Sequence, residues 1–342
     1  MLNLRTGVLL LNIGTPDSPQ VRDVRRYLRE FLSDPLVLDM PAPLRFALLN
    51  LVILPFRPRR SAQAYAKIWR SDGSPLLAHG RELRSALAHE LGESYVVELG
   101  MRYGSPSIAD ALARLRTADV VRILVLPLFP QYSRAATGSS LRRVEEELDR
   151  HPETPPVEVL PPFYAEPRFV RAWHEVARKE LDGFRPDFVL LSYHGLPERQ
   201  VKQTDSSGAH CLASDGCCDA IVAANRDCYR AQCFATSRAL ASELDLEPGH
   251  FASSFQSRLG GTPWIRPYTD KELPRLAAAG HRRLAVLCPA FVADCLETLE
   301  EIGIRAREQW LALGGEDLRL VPSLNASTPW VDTLCQWVRE HA

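Results

Sequence analysis

No apolar run in the 342 residues approaches the roughly 20 positions that crossing a bilayer requires. The greasiest stretch, Leu44–Phe56, carries Arg45 and Asn50 and is broken by Pro55. The run Val8–Leu11 is too short for a signal-peptide core, and no small-residue cleavage site follows it. A cytoplasmic protein is expected. Neither sign of charge is in excess: 41 Lys and Arg face 42 Asp and Glu, a net charge of -1. A general nucleic-acid binder needs a basic surplus to displace counterions, so that class is excluded. There is no GxGxxG and no P-loop, so no nucleotide cofactor is expected. The paired CxxC knuckles of a zinc ribbon are also missing. A hydrophobic content of 46% excludes a disordered chain.

What is present is a strand–helix alternation. Short apolar runs ended by turn residues read as buried parallel strands. In the first half they are Val8–Asn12, Tyr95–Gly100, Val120–Pro127 and Val157–Pro161. In the second half they are Phe188–Tyr193, His250–Gln256, Leu284–Pro289 and Leu318–Pro322. Helical patterns lie between them at Val21–Leu32, Leu76–Leu91, Ser107–Leu115, Gly138–Leu148, Pro167–Leu181 and Asp294–Ile302. This predicts an α/β protein of two doubly wound, Rossmann-like lobes, each on a four-stranded parallel sheet, with a cleft between them. The boundaries fall at 1–162 for the first lobe, with a lip at 41–60, and 163–322 for the second. Residues 323–342 form a C-terminal helix that can pack back on the first lobe.

In such folds ligands sit beyond the carboxyl ends of the strands. Those ends supply Tyr103, Tyr132, His194, Trp264, Phe291 and Glu297, an aromatic lining with one imidazole and one carboxylate. Several residues admit two readings. His194 is either a satisfied core histidine or a base. Arg102 pairs either with a bound carboxylate or with a structural acid. The Gly138–Ser140 turn is either an anion cradle or a plain helix start. Five of the eight cysteines, Cys211, Cys217, Cys218, Cys228 and Cys233, fall within 23 positions. In a cytoplasmic chain such clustering points to metal rather than disulfides.

The segments LLLNIGTPDS, RRSAQAY, GSPL, MRYGSPSI, PLFPQYSRAATGSS, SYHGLPER, FQSRLGGTPW and PAFVADCLETLEE, in that order, closely resemble the ferrochelatase family. That family inserts Fe2+ into a porphyrin to make haem. The resemblance spans nearly the whole chain and implies a chelatase-like fold. It implies His194 as the active-site histidine and Glu297 as its acidic partner across the porphyrin, both also candidate ligands of the Fe2+ substrate. It implies Ile13, Tyr65, Arg102, Tyr103, Tyr132, Ser139, Trp264 and Phe291 as substrate-binding residues. The stretch near 41–60 matches a pocket lip that in this family can touch the membrane, so a peripheral position at its inner face is compatible. Cys295 fills a slot that is histidine in several branches. There it is either a soft metal ligand or an inert buried thiol.

Against the family pattern, the segment from Thr204 to Cys233 looks like an insertion. Cys233 falls on a cysteine that members without clusters also carry. The extra ones are Cys211, Cys217, Cys218 and Cys228, the four thiolates that a [2Fe–2S] cluster requires, with Cys233 as substitute ligand should one of the adjacent pair be a bystander. The implied reaction takes protoporphyrin IX and Fe2+ to protohaem and two protons. Metallation must strip water from the ion and remove two pyrrole protons. A neutral imidazole and a carboxylate suit proton acceptance and metal delivery. Distortion of the macrocycle exposes the nitrogen lone pairs. The alternatives are coproporphyrin III as substrate, another tetrapyrrole chelatase, and a non-catalytic porphyrin or haem carrier or iron–sulfur sensor. A dimer resting on the lip or the insertion is compatible with the pattern.

Overall fold

The computed structural model describes residues 5–258 and 260–342. The eight predicted strands are all present: β1 (Arg5–Gly14), β2 (Tyr95–Tyr103), β3 (Val120–Pro127), β4 (Val157–Val159), β5 (Phe188–His194), β6 (Phe251–Gln256), β7 (Arg283–Leu287) and β8 (Asp317–Leu320). They form two parallel four-stranded sheets, ordered β2-β1-β3-β4 and β6-β5-β7-β8. The fold is therefore α/β, as the alternation predicts. Helices α1 (Val21–Ser33), α2 (Ala42–Ala47), α3 (Leu54–Ile68), α4 (Pro75–Leu91), α5 (Ile108–Thr117) and α6 (Ser139–Arg150) belong to the first half. Helices α7 (Pro167–Phe184), α8 (Glu198–Lys202), α9 (Tyr229–Glu243), α10 (Thr269–Ala278), α11 (Arg307–Ala312) and α12 (Thr328–His341) complete the chain.

The chain divides into two compact units. One runs to Phe129 and adds Arg134–Pro162 and Trp330–Ala342; the other holds Pro130–Ser133 and Phe163–Pro329. In the first, Val8, Leu9, Leu10 and Leu11 are fully buried, which is why β1 is continuously apolar rather than alternating. Leu9 and Leu11 pack against Ile108, Leu112 and Leu115 of α5. Each fully buried side chain of this size contributes about 1.5–3 kcal/mol. In the second unit, Leu190 and Val286 pack with Leu276, Ile302 and Trp310.

Four features depart from the helical pattern. The predicted Asp294–Ile302 helix is instead a π-helix over Leu296–Ala306. Its wider turn is not encoded in hydrophobic spacing, and such turns recur at functional sites. Helix α3 continues through Pro58, where proline signals a break. Helix α9 is buried on several faces, including Tyr229, Cys233, Thr236 and Leu240, so it shows no polar stripe. Helix α10, with Pro274 inside it, was equally absent from the pattern.

Candidate functional site

In the second sheet the chain passes from β5 to β6 on one side and then to β7 on the other. The crevice beyond β5 and β7 is the topological switch point, where doubly wound folds bind ligands. His194 ends β5, and Glu297 follows β7 in the first turn of the π-helix. The ring of His194 lies 6.4 Å from those of both Trp264 and Phe291, and all three are half-buried. Its Nδ1 contacts the Gly195 carbonyl at 2.6 Å. A carbonyl only accepts, so Nδ1 carries the proton and, in the neutral ring, Nε2 keeps its lone pair.

Gln256, 3% exposed, holds this corner together and was missed in the sequence. It is the register partner of His194. Its carbonyl accepts the Gly195 N–H at 2.8 Å. Its Nε2 donates to the Glu297 carbonyl at 2.7 Å, and its Oε1 accepts from Ser192 at 2.7 Å. A Cβ at Gly195 would lie 2.8 Å from the Gln256 carbonyl oxygen and 3.1 Å from Trp264, so only glycine fits beside the histidine. Burial, then the charge of Glu297 and a hydrogen bond to it, pushes the Cys295 thiol well above its usual range. A raised thiol pKa disfavours the thiolate that a soft metal ligand needs.

The first sheet ends differently. Arg102 Nη2 meets Asp34 at 2.7 Å, and Arg102 Nε donates to Ser139 Oγ at 2.7 Å. The Tyr103 and Ser139 hydroxyls both donate to Asp34, at 2.9 and 2.6 Å. Burial acts to raise the Asp34 pKa, but the Ser139 hydroxyl, the Leu36 N–H, Tyr103 and Arg102 together hold it below the usual value. Burial, together with the Asp34 charge, drives the Tyr103 phenol far up. Tyr103 is 0% and Ser139 1% exposed. These two residues, expected as substrate contacts, close a network around Asp34, which the sequence did not flag. Arg102 pairs with the same carboxylate. Gly14, at φ +111°, belongs to the same corner, because a Cβ there would strike the Tyr103 carbonyl. Ile13 is half-buried at the end of β1. Tyr65 is buried on α3, edge-on to Trp69 at 6.0 Å.

Tyr132 is half-buried, and its N–H donates to Gln232 Oε1 of α9 at 2.6 Å. The preceding cysteine loop is shaped by two side chains. Asp205 accepts the N–H groups of His210 and Cys211, each at 2.7 Å, and that of Ser207 at 2.9 Å. Fully buried Asn225 donates to the carbonyls of Cys217 and Ala220 at 3.0 and 2.9 Å. Cys211, Cys217, Cys218 and Cys228 are all buried. Cys228 lies close to Cys211 and Cys218, and the Sγ atoms of Cys217 and Cys218 are 3.7 Å apart. Arg230 Nη1 lies 3.1 Å from Cys218 Sγ, and the Leu212 N–H donates to Cys217 Sγ at 3.3 Å. Burial raises the Cys211 and Cys217 thiols; the bond to Cys228 and then burial raise Cys218. Cys233 lies inside α9 against the Tyr229 hydroxyl. Among the described residues, no three His, Cys, Asp or Glu side chains converge on one ion. The contacts are pairwise, with a cation and an N–H aimed at sulfur.

The segment 41–60, expected as a lip, exposes large apolar side chains: Leu44 by 62%, Phe46 by 70%, Leu51 by 72% and Phe56 by 71%. No described helix is long and apolar enough to cross a membrane.

A family model described as ferrochelatase matches residues 5–342. A ferrochelatase of Coxiella burnetii is 48% identical over 338 residues, covering 99% of this chain and 94% of its own. A ferrochelatase of Legionella pneumophila is 46% identical over 338 residues, covering 98% and 99%. Among solved structures, SirB from Bacillus subtilis with Fe3+ matches with a TM-score of 0.53 at 14% identity, covering 99% of this chain and 96% of that one. This last likeness bears on the fold alone.

Proposed function

Because the chain belongs to the ferrochelatase family, a family of lyases, we propose that it inserts Fe2+ into protoporphyrin IX to form protohaem and two protons. The observation that carries the mechanism is the Nδ1–H bond from His194 to Gly195, which leaves Nε2 as the basic nitrogen beside Trp264 and Phe291. His194 accepts the pyrrole protons. Glu297 leads the metal or proton path on the other porphyrin face, a carboxylate being a hard ligand for Fe2+. Substrate contacts are assigned to Ile13, Tyr65, Tyr132, Trp264 and Phe291. Anaerobic Fe2+ insertion by the purified protein, followed by the porphyrin-to-haem spectral change, tests this. Rapid turnover of protoporphyrin IX is expected. A preference for coproporphyrin III would change the substrate, and tight binding without turnover would make the protein a carrier.

We propose further that Cys211, Cys217, Cys218 and Cys228 hold a [2Fe–2S] cluster. Four buried thiols in pairwise contact, with Arg230 and the Leu212 N–H directed at them, are a fitting donor set. Bound iron would displace the thiol protons. Held by these four residues, a cluster would tie Cys211 to Cys228 across the loop; porphyrin metallation transfers no electrons, so no redox step is assigned to it. Iron and acid-labile sulfide in the as-isolated protein test this.

The exposed apolar lip, flanked by exposed Arg59 and Arg60, suits peripheral docking on an anionic membrane face, the cytoplasmic position expected for the protein. Its apolar surface also favours the less carboxylated protoporphyrin. Co-sedimentation with anionic vesicles, lost on Phe46→Ser with Leu51→Ser, tests the lip.

A further inference from the structure

Helix α9 begins where the cysteine loop ends: Cys228 caps it, and Gln232 lies one turn further on. Gln232 is 1% exposed. Its Nε2 donates to the Arg226 carbonyl of the loop at 2.7 Å, and its Oε1 accepts the Tyr132 N–H at 2.6 Å. Its own N–H donates to the Cys228 carbonyl at 3.0 Å. The partners fix the amide's orientation, since flipping it would set N–H against N–H and carbonyl against carbonyl. The next turn repeats the attachment: Gln131 Nε2 donates to Thr236 Oγ1 at 2.9 Å. The short segment bearing Tyr132 therefore rides on α9. One buried amide joins it to loop backbone two residues before Cys228.

We propose that Gln232 is a positioning residue through which the cysteine site controls Tyr132 and hence porphyrin affinity. This rests on the reading of Tyr132 as a porphyrin contact and of the four thiols as a metal site. Metal held by Cys228 fixes the end of the loop. The Arg226 carbonyl then fixes the Gln232 amide, and that amide holds the Tyr132 backbone. Loss of the metal frees the first link and loosens the last.

The test is a cycle in the full-length protein of wild type, Gln232→Met, Cys228→Ser and the double variant. Porphyrin dissociation constants are read by fluorescence quenching, with melting curves, iron and acid-labile sulfide measured on each sample. Gln232→Met is expected to weaken porphyrin binding roughly two- to tenfold, the worth of one hydrogen bond, and to raise KM while sparing kcat. Cys228→Ser is expected to weaken binding by a similar factor. The double variant is expected to bind no worse than either single one, as for members of one chain of contacts. Multiplying factors, or unchanged binding in Cys228→Ser, would overturn the proposal. Where Gln232→Met melts early, Gln232→Glu replaces it. The carboxylate keeps an acceptor for Tyr132 and loses the donor to Arg226, so affinity should stay and its response to Cys228→Ser should vanish. Wild-type protein without iron or sulfide would overturn the proposal together with the cluster reading, whereas multiplying factors in protein that does carry iron and sulfide would overturn the coupling alone.

Discussion

The two sheets share one strand order, yet their carboxyl ends spend their polar groups in opposite ways. In the first unit Arg102, Tyr103 and Ser139 all turn onto Asp34. In the second, Gln256 takes up the backbone groups around His194 and Glu297, and the imidazole keeps Nε2 beside two aromatic rings. The same end of the sheet thus yields a closed brace in one unit and, in the other, the corner proposed as reactive. Chemistry is located by the groups that the scaffold leaves unspent, not by strand order.

The sharpest way to break this contrast is at the reactive corner. His194→Ala should cut kcat by roughly 10²–10⁴, the usual range for a general base, while porphyrin still binds. Glu297→Gln should also lower kcat strongly with folding intact. Near-normal turnover in both variants would remove the assignment.

The brace should fail in the other currency, stability. Asp34→Asn leaves Arg102 without its anion and weakens what Tyr103 and Ser139 bond to, a loss of about 1–3 kcal/mol in denaturant melts. Because the folded Asp34 pKa lies below its unfolded value, its contribution is fully present above the unfolded pKa and is lost as pH falls through the folded one. The gap between wild type and variant should therefore be constant near neutrality and close below about pH 4. A gap that widened in acid would contradict the direction of the shift.

A smaller effect is expected one step behind the imidazole. The buried Tyr229 hydroxyl meets the backbone N–H of His194 and the Cys233 thiol. Tyr229→Phe leaves that N–H without its partner and should cost about 1 kcal/mol of stability, with at most a severalfold fall in kcat. A loss as large as that of His194→Ala would move Tyr229 into the catalytic machinery.

Much of this was legible in the sequence because strands buried on both faces write themselves as continuous apolar runs; His194 stands at the end of one, and Glu297 lies in the segment that leads from another into the next helix. Asp34 and Gln256 were not legible. A buried carboxylate or amide leaves no periodic mark, and each acts on residues far away in sequence, Asp34 on Ser139 and Gln256 on Glu297. Helix α9 escaped because burial on several faces erases amphipathic spacing. The cysteine loop announced its composition but not its shape, which comes from side chain–backbone bonds of Asp205 and Asn225 rather than from any repeating ladder.

Cys295 gives the smallest predicted effect and the closest control on the first. It stands two residues from Glu297, in the slot where a second ligand or base is most readily imagined. Burial and the charge of Glu297 push its thiol pKa up, which disfavours the thiolate a soft metal needs, and a neutral thiol is too weak a base for a pyrrole proton. Cys295→Ser replaces one neutral donor with another of similar size. Turnover within about threefold of wild type is expected, since only a weak donor bond is exchanged for another. The pH profile of kcat should be unchanged, and iodoacetamide should modify the native protein slowly at this position. A hundredfold loss, or fast alkylation that porphyrin prevents, would show that the corner holds a third active group and that the carboxylate of Glu297 does not work alone.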